Sequence, residues 1–199
     1  MRFVGAVLLR VCWGAWAAVW VGGWLYNLTK GPRTRSRVRT PEMILAGVAI
    51  LIGLIHWAIP ASFWTATALS GPWPIYVGAV LLIGSTVFTI WARVVLGRMW
   101  SSSPGIKEGH ALRTDGPYAV TRHPVYSGML GMVLGSALLT GRWWGLSVFV
   151  LFAAYVAAKV HVEERLLLGV FGERYTAYQG RTPQIVPGWR WQPGWRHSP

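Results

Sequence analysis

Long apolar stretches alternate with short polar ones along this 199-residue chain. Apolar residues dominate 4–26, 43–59, 75–96, 125–141 and 143–160. Each approaches the ~20 residues an α-helix needs to cross a bilayer. The pattern therefore predicts an all-α integral membrane protein with five transmembrane helices. Pro60 closes the second of them. Arg142 occupies a tight turn between the short fourth and fifth spans, which makes these two a helical hairpin. Beyond it, Leu167, Phe171, Tyr175 and Tyr178 recur at spacings of three or four within 162–179. That spacing predicts an amphipathic helix leaving the membrane. The tail from Thr182, rich in Pro, Gly and Trp, is expected to be irregular and near the interface. Residues 1–199 read as one membrane domain with no separate soluble part.

Several residues inside the spans stand out. Trp13, Trp16, Trp20 and Trp24 share one helical face, as a packed or interfacial aromatic stripe does. Gly128, Gly131, Gly135 and Gly141 crowd the fourth span, and Gly131 and Gly135 form a Gly-x-x-x-Gly pair that permits close helix approach. His56 lies near the end of the second span and reads as a hydrogen-bonded structural residue. Arg93, near the inner end of the third, faces headgroups or a polar cavity.

Composition agrees with the pattern: 53% of residues are hydrophobic and 13% charged, against roughly 25% charged in soluble domains. The net charge of +13 would suit nucleic acid, but the basic residues flank apolar runs. There they set topology and touch anionic lipid. Lys30, Arg33, Arg35, Arg37 and Arg39 fill the 30–42 linker, and the 97–124 loop and the segment after 160 are also basic, whereas 61–73 carries no charge. The positive-inside rule then puts the N-terminus outside and the C-terminus in the cytoplasm of a cell membrane. Arg2 and Arg10 surround an apolar run that continues as a full-length span, so it reads as a span and not a signal peptide. Cys12 is the only cysteine, which excludes an intramolecular disulfide. No Ser-His-Asp order, phosphate-binding Gly-rich loop or metal-binding Cys/His cluster is visible, so no metal is expected.

The chemistry concentrates between 107 and 126, where Lys107, His110, Arg113, Asp115, Arg122 and His123 accompany Tyr118 and Tyr126. Asp115-Gly116-Pro117 is a turn signal. His123 precedes a proline and should be extended; Pro124 suits the first turn of a helix. The free N–H groups of that helix would favour an anion. The hairpin should bring Lys159, Glu163 and Glu164 towards His123 and Tyr126 on the cytoplasmic side. Adjacent carboxylates at a span end are either paired and used, or solvated acids at the start of the amphipathic helix. The residues alone leave both readings open.

Gly-His-x-Leu-x-x-x-Gly-Pro-Tyr-x-x-x-Arg-His-Pro-x-Tyr, then a hairpin, then Glu-Glu-x-x-Leu and Phe-Gly-x-x-Tyr-x-x-Tyr, resembles the isoprenylcysteine carboxyl methyltransferase family. The likeness is detailed from Lys107 to Tyr126 and from Glu163 to Tyr178, and one of layout elsewhere, where it matches short prokaryotic members. The resemblance implies S-adenosyl-L-methionine as methyl donor, carboxyl O-methylation of an isoprenylcysteine-like or other lipophilic acceptor, and a cytoplasmic cofactor pocket. It implies donor contacts from Lys107, His110, Ala111, Leu112, Arg113, Tyr118, His123, Pro124, Val125, Tyr126 and Glu164, and catalytic roles for Arg122, Glu163 and Lys159. The family holds the acceptor carboxylate with an arginine shortly before the acidic pair. Lys159 stands there instead, a point charge without the planar fork of arginine. The Arg-His-Pro part is shared with phospholipid N-methyltransferases and membrane sterol reductases. A phospholipid or small-thiol methyltransferase is therefore the nearest alternative. A reductase using a nicotinamide cofactor or a non-enzymatic membrane protein is further off.

Overall fold

A computed structural model describes residues 2–30, 34–37, 71–99, 105–107 and 112–188. The second expected span, with His56, lies outside the described residues. The described residues form six α-helices: α1 (Arg2–Lys30), α2 (Trp73–Leu96), the short α3 (Pro117–Val120), α4 (Pro124–Thr140), α5 (Trp143–Phe171) and α6 (Glu173–Arg181). Among the described residues α1, α2 and α5 are long and apolar enough to cross a membrane, and α4 is a shorter apolar helix. Exposed Val4, Val80, Val87, Val94 and Val150 give their outer faces the apolar character lipid contact requires.

Glycine and proline set the boundaries. Pro74 and Pro124 stand in the first turns of α2 and α4, where a missing N–H costs nothing. Gly97, Gly141 and Gly172 end α2, α4 and α5 with φ of 53°, 66° and 52°, a region open to glycine without strain. This explains one departure from expectation. The sequence suggests a break near 160, with a new helix from 162. Instead α5 runs unbroken to Phe171, because 146–168 holds neither glycine nor proline. Glu163 and Glu164 therefore sit inside a long helix, not at a solvated helix start. A second departure is a short antiparallel ribbon in which β1 (Thr34–Arg37) pairs with β2 (Gly105–Lys107). It ties the basic linker, expected to be a plain loop, to the start of the polar stretch.

The most extensive contact is between α2 and α4. A Cβ on Gly135 would stand 2.7 Å from the Leu82 backbone nitrogen and 2.9 Å from the Gly78 carbonyl oxygen, and one on Gly78 would stand 2.6 Å from the Leu139 nitrogen. Gly128 abuts Thr89, and Gly131 abuts the Ser85 hydroxyl. The Gly-x-x-x-Gly pair thus lies in a helix seam where backbones touch. α1 closes the bundle by laying Cys12, Leu8, Leu9, Trp13 and Trp16 on Leu82, Met132 and Leu139. The Trp13 indole N–H donates to Ser136 Oγ at 3.0 Å. Trp16 stacks on Trp20 with ring centres 4.6 Å apart, whereas Trp24 at the end of the stripe is exposed.

Gly135→Val should lower the melting temperature of the detergent-solubilised protein, since the backbone across the seam cannot give way. Overpacking costs about 1–3 kcal/mol at least. Gly14→Ala, where a Cβ would meet nothing within 4 Å, should leave it unchanged or raised. Equal melting temperatures for the two variants would contradict the seam.

Candidate functional site

The site forms where the N-terminus of α4 meets the C-terminal third of α5. His123 (φ −124°, ψ 60°) stays out of the helical region, as a residue before proline must. That conformation turns the chain so that Arg122 and His123 both point at α5. Arg122 Nε donates to Glu164 Oε1 at 2.8 Å, with both side chains nearly inaccessible to solvent. The same oxygen lies 3.3 Å from His123 Nε2 and accepts from the Tyr175 hydroxyl at 3.4 Å. Gln179 Nε2 donates to Oε2 at 3.1 Å. Glu164 is thus a buried carboxylate met by α4 and α6 together.

Glu163, half-buried one position earlier, faces the neighbouring sector. Its Oε1 accepts from the Tyr126 hydroxyl at 2.6 Å, and its Oε2 lies 3.6 Å from His123 Nδ1. The His123 imidazole therefore sits between two carboxylates, outside the spans. Burial alone would pull its pKa down. The hydrogen bonds and charges of Glu163 and Glu164 outweigh that and raise it above the ordinary value, which favours the imidazolium, with Nε2 donating to Glu164 and Nδ1 in ion-pair range of Glu163. Two cations and two anions make the cluster neutral, which is what permits so much charge in so dry a place. Tyr175 stays a neutral donor because burial, then the charge of Glu164, push its phenol up.

The tail takes part in a way the sequence reading does not anticipate. The N–H groups of Arg122 and His123 donate to the carbonyls of Pro183 (2.8 Å) and Gln184 (3.1 Å). Arg122 Nη1 reaches the carbonyls of Thr182 (2.6 Å) and Gln179 (3.1 Å), and Ser127 Oγ donates to Ile185 O at 2.5 Å. Residues 182–185 are irregular, as expected, but pinned as a strap across the head of α4. The N–H groups of Arg122 and His123, just ahead of α4, are thereby taken up by this strap. On the other side, the Tyr178 hydroxyl donates to Tyr118 O and locks α6 to α3.

The other expected site residues are spread around this centre. Tyr118 and Pro124 are buried, and Val125 and Tyr126 half-buried. The rings of His123 and Tyr126 stack at 6.0 Å. Lys159 is half-buried, its Nζ 5.7 Å from the ring of Tyr155 one turn earlier on α5. Leu112 is half-buried, and Arg113 makes an exposed pair with Asp115 at 3.9 Å. Lys107 lies in β2, and His110 and Ala111 lie outside the described residues. The structure brings together Arg122, His123, Tyr126, Glu163 and Glu164. Sequence reasoning missed Tyr175, Gln179, Ser127 and Thr182 as members of the cluster. Only the Tyr-x-x-Tyr spacing of α6 carries a signal for it, and that signal reads as an amphipathic face.

The stability given by His123 should depend on pH in a defined direction. A raised folded pKa means the contribution is full below the unfolded value, ~6.5, and is lost as pH rises through the folded one. The melting-temperature gap between the wild type and His123→Gln should be widest in acid and shrink towards alkaline pH. A gap that widens with rising pH would contradict the imidazolium.

The phospholipid methyltransferase family model matches residues 73–174. The protein-S-isoprenylcysteine O-methyltransferase of Schizosaccharomyces pombe is 34% identical over 79 residues, covering 39% of this chain and 34% of that protein. Protein-S-isoprenylcysteine O-methyltransferase B of Arabidopsis thaliana is 30% identical over 158 residues, covering 76% of this chain and 80% of that protein. A solved eukaryotic intramembrane Ras methyltransferase, isoprenylcysteine carboxyl methyltransferase, shares the fold with a TM-score of 0.55 at 22% identity, over 76% of this chain and 54% of that one. The chain thus spans most of the Arabidopsis relative, about a third of the yeast one and about half of the solved structure. Its span pattern, its Arg-His-Pro and Glu-Glu motifs meeting in one cluster, and these likenesses agree: the chain is an integral membrane protein of the isoprenylcysteine carboxyl methyltransferase family.

Proposed function

We propose that this protein is an S-adenosyl-L-methionine-dependent membrane methyltransferase that methylates the carboxylate of an isoprenylcysteine-like or other lipophilic acceptor. The observation that carries the reading is the neutral Arg122–His123–Glu163–Glu164 cluster, built where membrane helices end. The residues present fit the donor. Tyr118 and Tyr126 offer aromatic faces to a sulfonium. Oε2 of Glu164 accepts one hydrogen bond among the described residues, from Gln179, and a carboxylate oxygen accepts two. When bound, the donor supplies an electrophilic methyl group, and an ionised acceptor carboxylate needs no general base to take it. The work left to the protein is orientation and exclusion of water.

Each residue then has its own role. Arg122 is a positioning residue: it fixes Glu164 and the strap. Glu163 orients the Tyr126 hydroxyl and His123. Lys107, His110, Ala111, Leu112 and Arg113 contact the donor together with Pro124 and Val125. Lys159, one turn before Glu163 on α5, holds the acceptor carboxylate as a point charge. The acceptor arrives from the bilayer and the donor from the cytoplasm, with the N-terminus outside and the whole chain acting as one domain in the cell membrane.

The assay is methyl transfer to a farnesylated cysteine analogue and to its amide. Only the carboxylate should be methylated. Lys159→Met should spare affinity for the demethylated product and lower turnover of the carboxylate, by the roughly thirtyfold that corresponds to ~2 kcal/mol for a lost charge partner. Lys159→Arg should retain turnover. Equal methylation of acid and amide would overturn carboxyl transfer, and no binding of donor or product would overturn the methyltransferase reading.

A further inference from the structure

α6 has two faces, and the charged cluster uses only one. Tyr175 and Gln179 turn inward to Glu164, and Tyr178 turns inward to the Tyr118 carbonyl. Arg174 and Arg181 stand on the outside of the same helix, both exposed. They lie two helical turns apart, within roughly 20° of each other around the axis, and so form one stripe. Arg181 Nε donates to the Ala177 carbonyl at 3.3 Å, which lays its guanidinium along that stripe. Neither arginine lines the groove between α5 and α6, whereas Glu173, the acid of this helix, does. The negative charge is thus held to one side of the arginines. We infer that this stripe binds the phosphates of anionic phospholipids, and that the lipid surface so engaged holds α6 against the charged cluster.

The depth of α6 in the bilayer follows from the helix before it. α5 has 29 residues, and at ~1.5 Å per residue it is about 43 Å long. A bilayer with its headgroups is about 40–45 Å thick. A helix that starts at one surface therefore ends in the headgroup layer of the other. At Gly172, with φ 52°, the chain turns. Tyr175 and Gln179 both reach back to one carboxylate of α5, so α6 is folded against the end of that helix and does not run on into water. Its arginine stripe is thereby kept at the level of lipid phosphates. Exposed Val170 and Val186 bracket α6 along the chain and supply apolar contact at the same boundary. The guanidinium fork matches phosphate oxygens, and each arginine near an anionic leaflet is worth about fivefold in binding. A ligand that binds only the folded helix stabilises it, so lipid on the outer face steadies the bonds that the inner face makes to Glu164.

The test is hydrogen–deuterium exchange of the full-length protein in phosphatidylcholine nanodiscs, one copy per disc, with and without phosphatidylglycerol. It needs no methyl donor, so its outcome is independent of the methyltransferase reading. Phosphatidylglycerol should slow exchange of the α6 backbone by about fivefold or more. Salt near 1 M, where the Debye length is about 3 Å, should remove the effect. The double variant Arg174→Gln, Arg181→Gln should keep the wild-type melting temperature in pure phosphatidylcholine and lose the response to phosphatidylglycerol. Equal wild-type exchange in the two lipids, or a double variant that responds as the wild type does, would overturn the inference. So would protection of α6 that depends on two copies sharing a disc and not on phosphatidylglycerol, which would give this face to a second copy of the chain.

Discussion

A carboxylate cannot be buried at the end of a membrane helix without partners, and the architecture of this protein follows from how Glu164 is matched. Desolvating a single ion costs several kcal/mol even after the protein relaxes. Here the cost is offset by a guanidinium at 2.8 Å, an imidazolium, a phenol and a carboxamide. Those partners come from the head of α4 and from α6, and Arg122 in turn binds the strap. One buried charge therefore fixes the relative positions of two helices and the tail. The same bonds set Tyr126 and Glu163 beside each other, so the geometry of the site and the stability of this end of the bundle are one problem.

The glycine seam supplies the frame. Backbone contact between α2 and α4 at Gly78 and Gly135 leaves little freedom for α4 to slide or rotate. Its N-terminus, where Arg122 and His123 stand, is placed to that tolerance. The unbroken α5 does the corresponding work from the other side. Had the chain broken near 160, Glu163 and Glu164 would lie on a separately oriented helix. Instead they continue a rigid rod anchored among the spans, which is what lets adjacent residues address two faces of one imidazole.

The apolar helices among the described residues and the central motif were legible in the sequence because both are local patterns. Apolar runs give α1, α2, α4 and most of α5; Gly131 and Gly135 mark the seam; Pro124 marks the start of α4. The cluster itself was legible only as two motifs, since nothing local says that Glu164 rather than Glu163 takes Arg122. The continuity of α5 was obscured by the charged run from His161 to Arg165, which looks like a span end although its backbone has every reason to stay helical. The strap was the least legible part. Its bonds use backbone carbonyls of Thr182, Pro183, Gln184 and Ile185, and a carbonyl is the same on every residue. Gln179 carried no signal for a similar reason, since a glutamine on a polar helix face is ordinary until its partner is known.

Arg122 and Glu164 act as a coupled pair that holds α4, α6 and the strap together. A double-mutant cycle measures this directly. Reversible unfolding in detergent micelles would be followed for the wild type, Arg122→Met, Glu164→Gln and the double variant. Either single change should be strongly destabilising, because each leaves the other charge buried without its main partner. The double variant should be far less destabilised than the sum, by roughly 1–3 kcal/mol. Effects that add within about 0.5 kcal/mol would mean the two side chains are not coupled, and would contradict the central claim.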